Sequence, residues 1–453
     1  MFHILESGEW LVPTLGGLPF VEKPPIFFWT AALFAKLFGG ILPLHDAARL
    51  AAGFYVALTL GFTYLASGSN KDRRIAAPLL LAGCLGYLQH AHQLITDNSL
   101  MAGVAMGIYG LKSNRGLWLG TGAGLAFLSK GLVGPGLLGV TAIALAILPA
   151  WRHTWRSWPW AAAAFLPWAL VWPWLLYRHS PALFHEWFVV NNFGRFSGSA
   201  GLGGVLDHFH YLKALPWFAA PAWVLAAFTL WRSRRALTPD LQFGLVAFIV
   251  MLAVLSAASS ARTLYGLPFL IPLSILAAYS AEALPAWVDR AVAALFALLG
   301  AALWIAFFAG PWAEPRPGPA AVVAAIGVTL LFAWSLRWQP ALPVRWLAGV
   351  TLAWGLAMTL YLPAIDEQKT YRGVAMELRA ARQGCITARN LTEPQRGMFH
   401  YFAGIKEPSR DDCPLLLLHT DSAKAPAPGE GWKLVWQGTR PEDRKEYFWL
   451  FSR

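Results

Sequence analysis

Ser7-Gly8-Glu9-Trp10-Leu11-Val12-Pro13, followed by Gly17-Leu18-Pro19-Phe20-Val21-Glu22-Lys23-Pro24-Pro25, opens the chain. An acid and a base stand side by side, directly before two prolines. Proline fixes its own φ and pushes the residue before it out of helical geometry, so Lys23 is expected to be held extended. The chain beyond is almost continuously apolar. Ionisable groups at a bilayer edge are costly and mark a functional site by default. An ammonium there suits a lipid phosphate. The competing reading is a lysine that snorkels to the interface and pairs with Glu22.

Of the 453 residues, 57% are hydrophobic and 13% charged, about half the roughly 25% charge of soluble domains. Mean hydropathy is +0.47. The 24 tryptophans suit a chain with many membrane–water interfaces. The apolar runs are continuous, unlike the alternating segments of a β-barrel. The expected fold class is an all-α polytopic membrane protein. It has about 12 transmembrane helices, near 47–66, 75–92, 99–111, 116–129, 131–150, 158–177, 212–230, 240–258, 264–281, 289–309, 319–336 and 346–362. The glycines between Gly116 and Gly139 suit close helix packing.

The formal net charge is +12, and its placement argues against nucleic acid as a partner. Lys71 with Arg73 and Arg74, Lys112 with Arg115, Arg152 with Arg156, Arg232 with Arg234 and Arg235, and Arg337 with Arg345 fall on alternate loops. The positive-inside rule makes those loops cytoplasmic. The loop near Glu282 and Asp289 carries only Arg290. The N-terminal region, the loop at Asp97, the segments 178–212 and 259–263, and the tail are then external. That parity asks for a helix upstream of Met1. Segment 26–42 becomes an interfacial or re-entrant part of the first external loop, residues 1–46; the alternative is that 26–42 itself spans.

At about Pro363 the composition changes. The last 91 residues hold 26 of the 60 charged side chains, which divides a membrane domain (1–362) from a small external α/β domain (363–453). A helix is expected over Lys369–Gln383. Strands are expected at Cys385–Leu391, Met398–Phe402, Pro414–His419, Lys433–Gln437 and Tyr447–Phe451, with Leu415 to Leu418 buried on both faces. Cys385 and Cys413 each open a strand. A disulfide and two free thiols are both open.

Residues 1–362 contain only half of the 24 acidic side chains, so each external acid is a candidate. Asp97 sits where an external loop meets a helix; Thr96, Asp97 and Asn98 are all good N-caps, and an acid can both cap the helix and bind substrate. Lys130, Arg195 and Arg262 are solitary external cations, whereas the cytoplasmic ones cluster. A convergent set facing a phosphate would account for them; each alone also reads as an interfacial anchor. The 178–212 loop is rich in histidine. His208 and His210 are the candidates for a divalent metal such as Zn, against the simpler reading of interfacial histidines. No other cofactor is indicated, and neither a Ser/His/Asp grouping nor a Walker phosphate loop is present.

The opening segment resembles the first external loop of the aminoarabinose-transferase and protein O-mannosyltransferase superfamily, polytopic GT-C glycosyltransferases that use polyprenyl-phosphate sugars. That loop carries S-G-D-W-L-V-P and then G-x-P-Y-F-E-K-P-P. Thr96-Asp97 is similar to the family's second acidic loop, and Phe127-Leu128-Ser129-Lys130-Gly131 to its L-T-K-G turn. Arg195-Phe196 with the following His and Tyr is similar to its large external loop. Ser260 to Pro268 is similar to its S-K-R-x-x-Y-x-L-P segment, with Ala261 in place of the lysine and Tyr265 at the tyrosine.

The resemblance implies transfer of a sugar from an undecaprenyl-phosphate carrier to a lipid A, glycolipid or protein acceptor, at the periplasmic face of a bacterial inner membrane. Lys23 would hold the carrier phosphate with Arg262 or Arg195 assisting, and Lys130 and Tyr265 would complete the phosphate site. Glu22 would orient Lys23 or approach the sugar, and Asp97 would support the site, the two forming the catalytic acidic set. The family's Asp-Glu pair lies about ten residues upstream of S-G-D-W, before Met1. An upstream helix and that pair are therefore expected to precede this sequence. Two other classes compete: a lipid-linked-sugar transporter or flippase, and an inactive paralogue acting as an assembly subunit.

Overall fold

The computed structural model describes residues 1–199, 207–280, 284–310, 317–337, 341–382, 384–407, 413–440 and 446–453. The side chain of Arg195, residues Glu282 and Gln383, and the middle of the 178–212 segment lie outside the described residues.

The opening loop folds as helix α1 (Phe2–Ser7), a two-stranded hairpin of β1 (Thr14–Leu15) and β2 (Leu18–Pro19), and the apolar helix α2 (Ile26–Phe38). Next come α3 (Leu44–Ala66), α4 (Lys71–Ala82), α5 (Leu85–Ala91), α6 (Asp97–Lys112), α7 (Gly116–Lys130), α8 (Val133–Ile147) and α9 (Trp158–His179). Further helices run through Pro239–Ser256, Ala286–Ala309, Pro319–Ser335 and Leu342–Leu356.

Among the described residues, five helices are long and apolar enough to cross a membrane, or six if the pair His210–Phe218 and Ala222–Arg232, bent by 99°, counts as one. This is fewer than the twelve apolar runs. Several runs are cut by residues that cannot continue a helix: 75–92 breaks at Gly83–Cys84, 212–230 turns at Ala220–Pro221, and 264–281 begins as the tighter helix Thr263–Phe269 with Pro268 inside it. Lipid exposure is plain on Ala286–Ala309, where only Phe296 and Gly300 are buried. Leu298, Ile305 and Phe308 are 72%, 67% and 78% exposed. So large an apolar face requires a hydrocarbon solvent, and a helix of this length spans a core of about 30 Å.

Glycine sets how closely the central helices approach. On α7, Gly116, Gly120 and Gly124 recur every fourth residue, and a Cβ on any of them would collide with Ser157, Ala161 or Trp168 at α9. On the α6 side, a Cβ at Gly103 would lie 2.6 Å from the Gly122 carbonyl oxygen. These contacts let backbones meet without intervening side chains, the usual packing of small residues in membranes. They bring the N-terminus of α6 against the C-terminus of α7.

The C-terminal residues form a sheet ordered β3-β4-β6-β5 from β3 (Ile386–Arg389), β4 (Leu415–Thr420), β5 (Lys433–Thr439) and β6 (Tyr447–Ser452). β3 runs parallel to β4; the other pairs are antiparallel. Leu415, Leu416 and Leu417 are buried in succession, as a strand covered on both faces requires. The strand expected at Met398–Phe402 is instead part of the helix Glu393–Ala403. A capping box between Thr392 and Gln395 starts it, with proline in its first turn. That signal outweighs the apolar character of 398–402. Cys385 and Cys413 are joined in a disulfide.

This unit rests on the opening loop. The Glu407 N–H donates to the Gly16 carbonyl at 2.5 Å, and Arg396 pairs with Glu407 at 2.8 Å. Glu6 receives His400 at 2.9 Å and Lys406 at 3.0 Å. Phe2 stacks edge-on against Tyr401.

Candidate functional site

Asp97 is the first residue of α6 and Lys130 the last of α7, and their side chains form a buried ion pair, 4% and 9% exposed. Each charge suits its helix end, the carboxylate at the positive N-terminus and the ammonium at the negative C-terminus. Thr96, not Asp97, occupies the N-cap, and no side chain caps the helix. The capping role weighed for Asp97 is therefore replaced by an ion pair 33 residues apart in sequence. Lys130 also lies 4.0 Å over the Tyr265 ring, a cation–π contact strengthened by desolvation.

Gly131 turns the chain away from α7 with φ +65°. A Cβ there would overlap the Asn192 amide oxygen, which accepts the Leu132 N–H at 2.9 Å. The turn therefore demands glycine and fastens the lysine to the 186–194 segment.

Glu22 and Lys23 pair at 2.6 Å, both partly buried. Around them the opening loop is pinned to the membrane helices: Trp29 donates to the Trp10 carbonyl at 2.7 Å, and Trp172 on α9 donates to the Leu11 carbonyl at 2.9 Å.

These elements surround a cavity of about 330 Å³. Glu22, Lys23, Lys130 and Tyr265 all line it. Leu100, Val133, Val140, Val254 and Leu255 supply apolar wall. Such a chamber, mostly hydrocarbon with two cations and a carboxylate, fits a ligand with an apolar body and an anionic head. Its size suits a small ligand or one end of a longer one.

Of the residues singled out from the sequence, the fold thus gathers four on the cavity wall and Asp97 directly behind Lys130. Arg262 is exposed, three residues before Tyr265. His208 and His210 have different partners: His208 Nδ1 is 2.7 Å from the Ser256 carbonyl oxygen and His210 Nε2 is 3.1 Å from Thr263 Oγ1. No group of three potential metal-ligating His, Cys, Asp or Glu residues occurs among the described residues. Asp207 is instead paired with Lys213 at 2.9 Å. Its carboxyl is held below the ordinary range, chiefly by that hydrogen bond.

Sequence reasoning passed over three further wall residues, Trp187, Tyr211 and Ser260. Ser260 opens the segment similar to S-K-R-x-x-Y-x-L-P and Tyr211 follows His210, but nothing in their spacing distinguishes them, or Trp187, from core side chains.

The family model described as dolichyl-phosphate-mannose-protein mannosyltransferase matches residues 22–177, the stretch that contains Glu22, Lys23, Asp97 and Lys130. The chain is 29% identical over 310 residues to undecaprenyl phosphate-alpha-4-amino-4-deoxy-L-arabinose arabinosyl transferase 1 of Sodalis glossinidius, covering 62% of this chain and 53% of that protein. It is 27% identical to the corresponding transferase of Pseudomonas savastanoi pv. phaseolicola, covering 61% and 54%. The chain thus spans about half the length of the curated relatives it matches. In fold it is similar to the crystal structure of ArnT from Cupriavidus metallidurans bound to undecaprenyl phosphate. The TM-score is 0.72 at 18% identity, over 99% of this chain and 91% of that one.

Proposed function

We propose that this chain, which is similar to aminoarabinose transferases and in residues 22–177 to protein mannosyltransferases, is a member of the GT-C superfamily that joins them and a membrane glycosyltransferase. It takes a sugar from a polyprenyl phosphate of the undecaprenyl class and passes it to lipid A, another glycolipid or a protein. One observation carries this reading: Lys23 and Lys130, each with a carboxylate beside it, line a single apolar cavity.

In the reaction, an acceptor oxygen attacks the anomeric carbon, and the bond from that carbon to the phosphate oxygen breaks. The polyprenyl phosphate leaves with the electron pair. Fixed cations at the departing phosphate lower the barrier electrostatically, most strongly where water is excluded. Lys23 is the more adaptable of the two. Its partner Glu22 is its neighbour in sequence, and an arriving phosphate can replace that carboxylate on the ammonium. Glu22 is then released on the cavity wall, where it can accept the acceptor's proton. Asp97 holds Lys130 in place. Arg262, exposed near the cavity, and Arg195 draw the anionic head inward.

The end of the molecule bearing the cavity faces the periplasm in this reading, and the basic clusters face the cytoplasm. The disulfide in the C-terminal unit supports that orientation, since such bonds persist in oxidising compartments. The short apolar helices are read as broken or tilted crossings, about twelve in all.

The test uses the full chain in lipid nanodiscs. Lys23→Ala should abolish binding of undecaprenyl phosphate and transfer from its sugar esters, with the thermal unfolding midpoint unmoved. Unchanged binding in the folded variant would overturn the assignment. Binding by the parent protein without transfer to any acceptor offered would favour a carrier-lipid transporter or an assembly subunit.

A further inference from the structure

Among the described residues, three that line the cavity carry a buried side-chain donor with no acceptor: Trp187 Nε1, Tyr211 Oη and Ser260 Oγ. Their residues are 1%, 1% and 9% exposed. The Tyr211 oxygen lies near the backbone N–H of Arg262, a contact that uses a lone pair and leaves the phenolic proton unspent. Buried donors left without acceptors are strongly disfavoured, and natural folds rarely keep them without a use.

We propose that Trp187, Tyr211 and Ser260 form the subsite that reads the sugar of the carrier, a deepening that rests on the cavity being a polyprenyl-phosphate sugar site. All three groups are neutral, and two lysines already face the cavity for the phosphate. Neutral donors suit the hydroxyl and ring oxygens of a carbohydrate. Phe193, Phe196 and Tyr265 add aromatic wall for the C–H faces of a sugar ring.

The donors are also fixed in direction. Trp187 is wedged edge-on between Trp172 at 4.8 Å and Phe127 at 5.7 Å between ring centres. Tyr211 is held edge-on by Phe269 at 6.2 Å. The segment carrying Ser260 is tied by the Ser259 N–H to the Phe196 carbonyl at 3.0 Å. Orientation set before binding is what lets hydrogen bonds discriminate between ligands.

The test compares two ligands on the full chain in nanodiscs: undecaprenyl phosphate and undecaprenyl phosphate bearing 4-amino-4-deoxyarabinose. Tyr211→Phe and Ser260→Ala each remove one donor with little change of shape, and Trp187→Phe removes the third together with part of a buried ring. Each should weaken the sugar-bearing lipid about tenfold, the loss of one hydrogen bond, and leave the bare phosphate within about twofold. Equal losses for both lipids would assign the donors to the phosphate and overturn the subsite; so would no loss for either. If the parent binds bare undecaprenyl phosphate but gains nothing from the sugar, the subsite fails while the carrier site stands. If the parent binds neither lipid, the carrier reading itself falls and this one with it. Should Trp187→Phe not fold, the tyrosine and serine variants decide alone.

Discussion

Helix α6 has a lysine–carboxylate pair at each end, and the two differ in a way that separates a site from a clamp. At its N-terminus, Asp97 meets Lys130 with both side chains almost wholly buried, and the lysine borders the cavity. At its C-terminus, Lys112 meets Asp240 at 3.3 Å, with the lysine 9% and the acid 44% exposed. Asp240 accepts the Tyr279 hydroxyl at 3.0 Å, and Arg73 lies 4.1 Å over the Tyr279 ring. That second cluster ties α6 to α4 and to helix Pro239–Ser256, and its charges are spent on one another. The first keeps an ammonium at a cavity surface. A buried ion pair is weak ground for stability and equally weak ground for function; what the cation faces decides between them.

The largest effect is expected at the cavity end. Lys130→Ala leaves the Asp97 carboxylate buried without a partner, a loss of about 3–5 kcal/mol. It should lower the thermal unfolding midpoint sharply and abolish transfer. The double variant Lys130→Met with Asp97→Leu removes both charges and should recover most of the unfolding midpoint while transfer stays absent. Transfer by the double variant would reduce this pair to a clamp like the other one and break the comparison.

At the opposite end the pattern should invert. Lys112→Met leaves Asp240 half-exposed, where water and Tyr279 still serve it. The expected stability loss is about 1 kcal/mol, the scale of an exposed pair. Transfer kinetics with an undecaprenyl-phosphate sugar should be unchanged once equal amounts of folded protein are compared. A drop in kcat with the unfolding midpoint unmoved would show that the basic end communicates with the cavity, and the contrast would fail.

The sequence shows why the cavity end was the more readable of the two. Glu22 and Lys23 are legible because two prolines and a tight motif surround them. Lys130 is legible because a lone outward cation next to glycine is unusual. The pairing of Lys130 with Asp97 is not visible, since it depends on glycines of α6 and α7 meeting backbone to backbone. Spacing along one helix cannot show which opposite helix fills the gap. The helix at Glu393–Ala403 was readable from Thr392 and Gln395, but an aromatic-rich run at 398–402 mimics a strand. The helix breaks at Gly83–Cys84 and Ala220–Pro221 are marked by breaker residues, yet hydropathy alone runs straight through them. Ser260 and Tyr211 fall in segments the family resemblance marks and Trp187 in none, but their unspent donors carry no sequence signal, because an unpartnered buried donor is a property of the packed fold.

The smallest effect concerns a further acid–base cluster, the one that joins the opening loop to the C-terminal unit. Glu6 receives His400 and Lys406, and His3 stands nearby in the same field. This cluster is partly exposed, so its contribution is modest, but unlike the two pairs on α6 it contains histidine. Burial lowers the His400 pKa below its ordinary 6.5, outweighing the attraction of Glu6. Burial alone would raise the Glu6 carboxyl, but the hydrogen bonds and charges of Lys406 and His400 outweigh it and hold the pKa below 4.5. Both shifts have the same sign for stability. The docked state binds fewer protons than the separated one, so docking weakens as pH falls. The histidine part begins below about pH 6.5 and the carboxylate part below the ordinary Glu range. Amide protection over residues 2–19 and 393–407, each rate divided by its intrinsic rate at that pH, should therefore fall at pH 5.5 relative to pH 7.5, while α6 and α7 stay protected. His400→Gln should remove most of that difference, because glutamine keeps a hydrogen bond to Glu6 without titrating. Equal protection at the two pH values would mean that the backbone bond from Glu407 to Gly16 and the Phe2–Tyr401 contact hold the loop by themselves. The charged cluster would then join the Lys112 pair as packing without a lever.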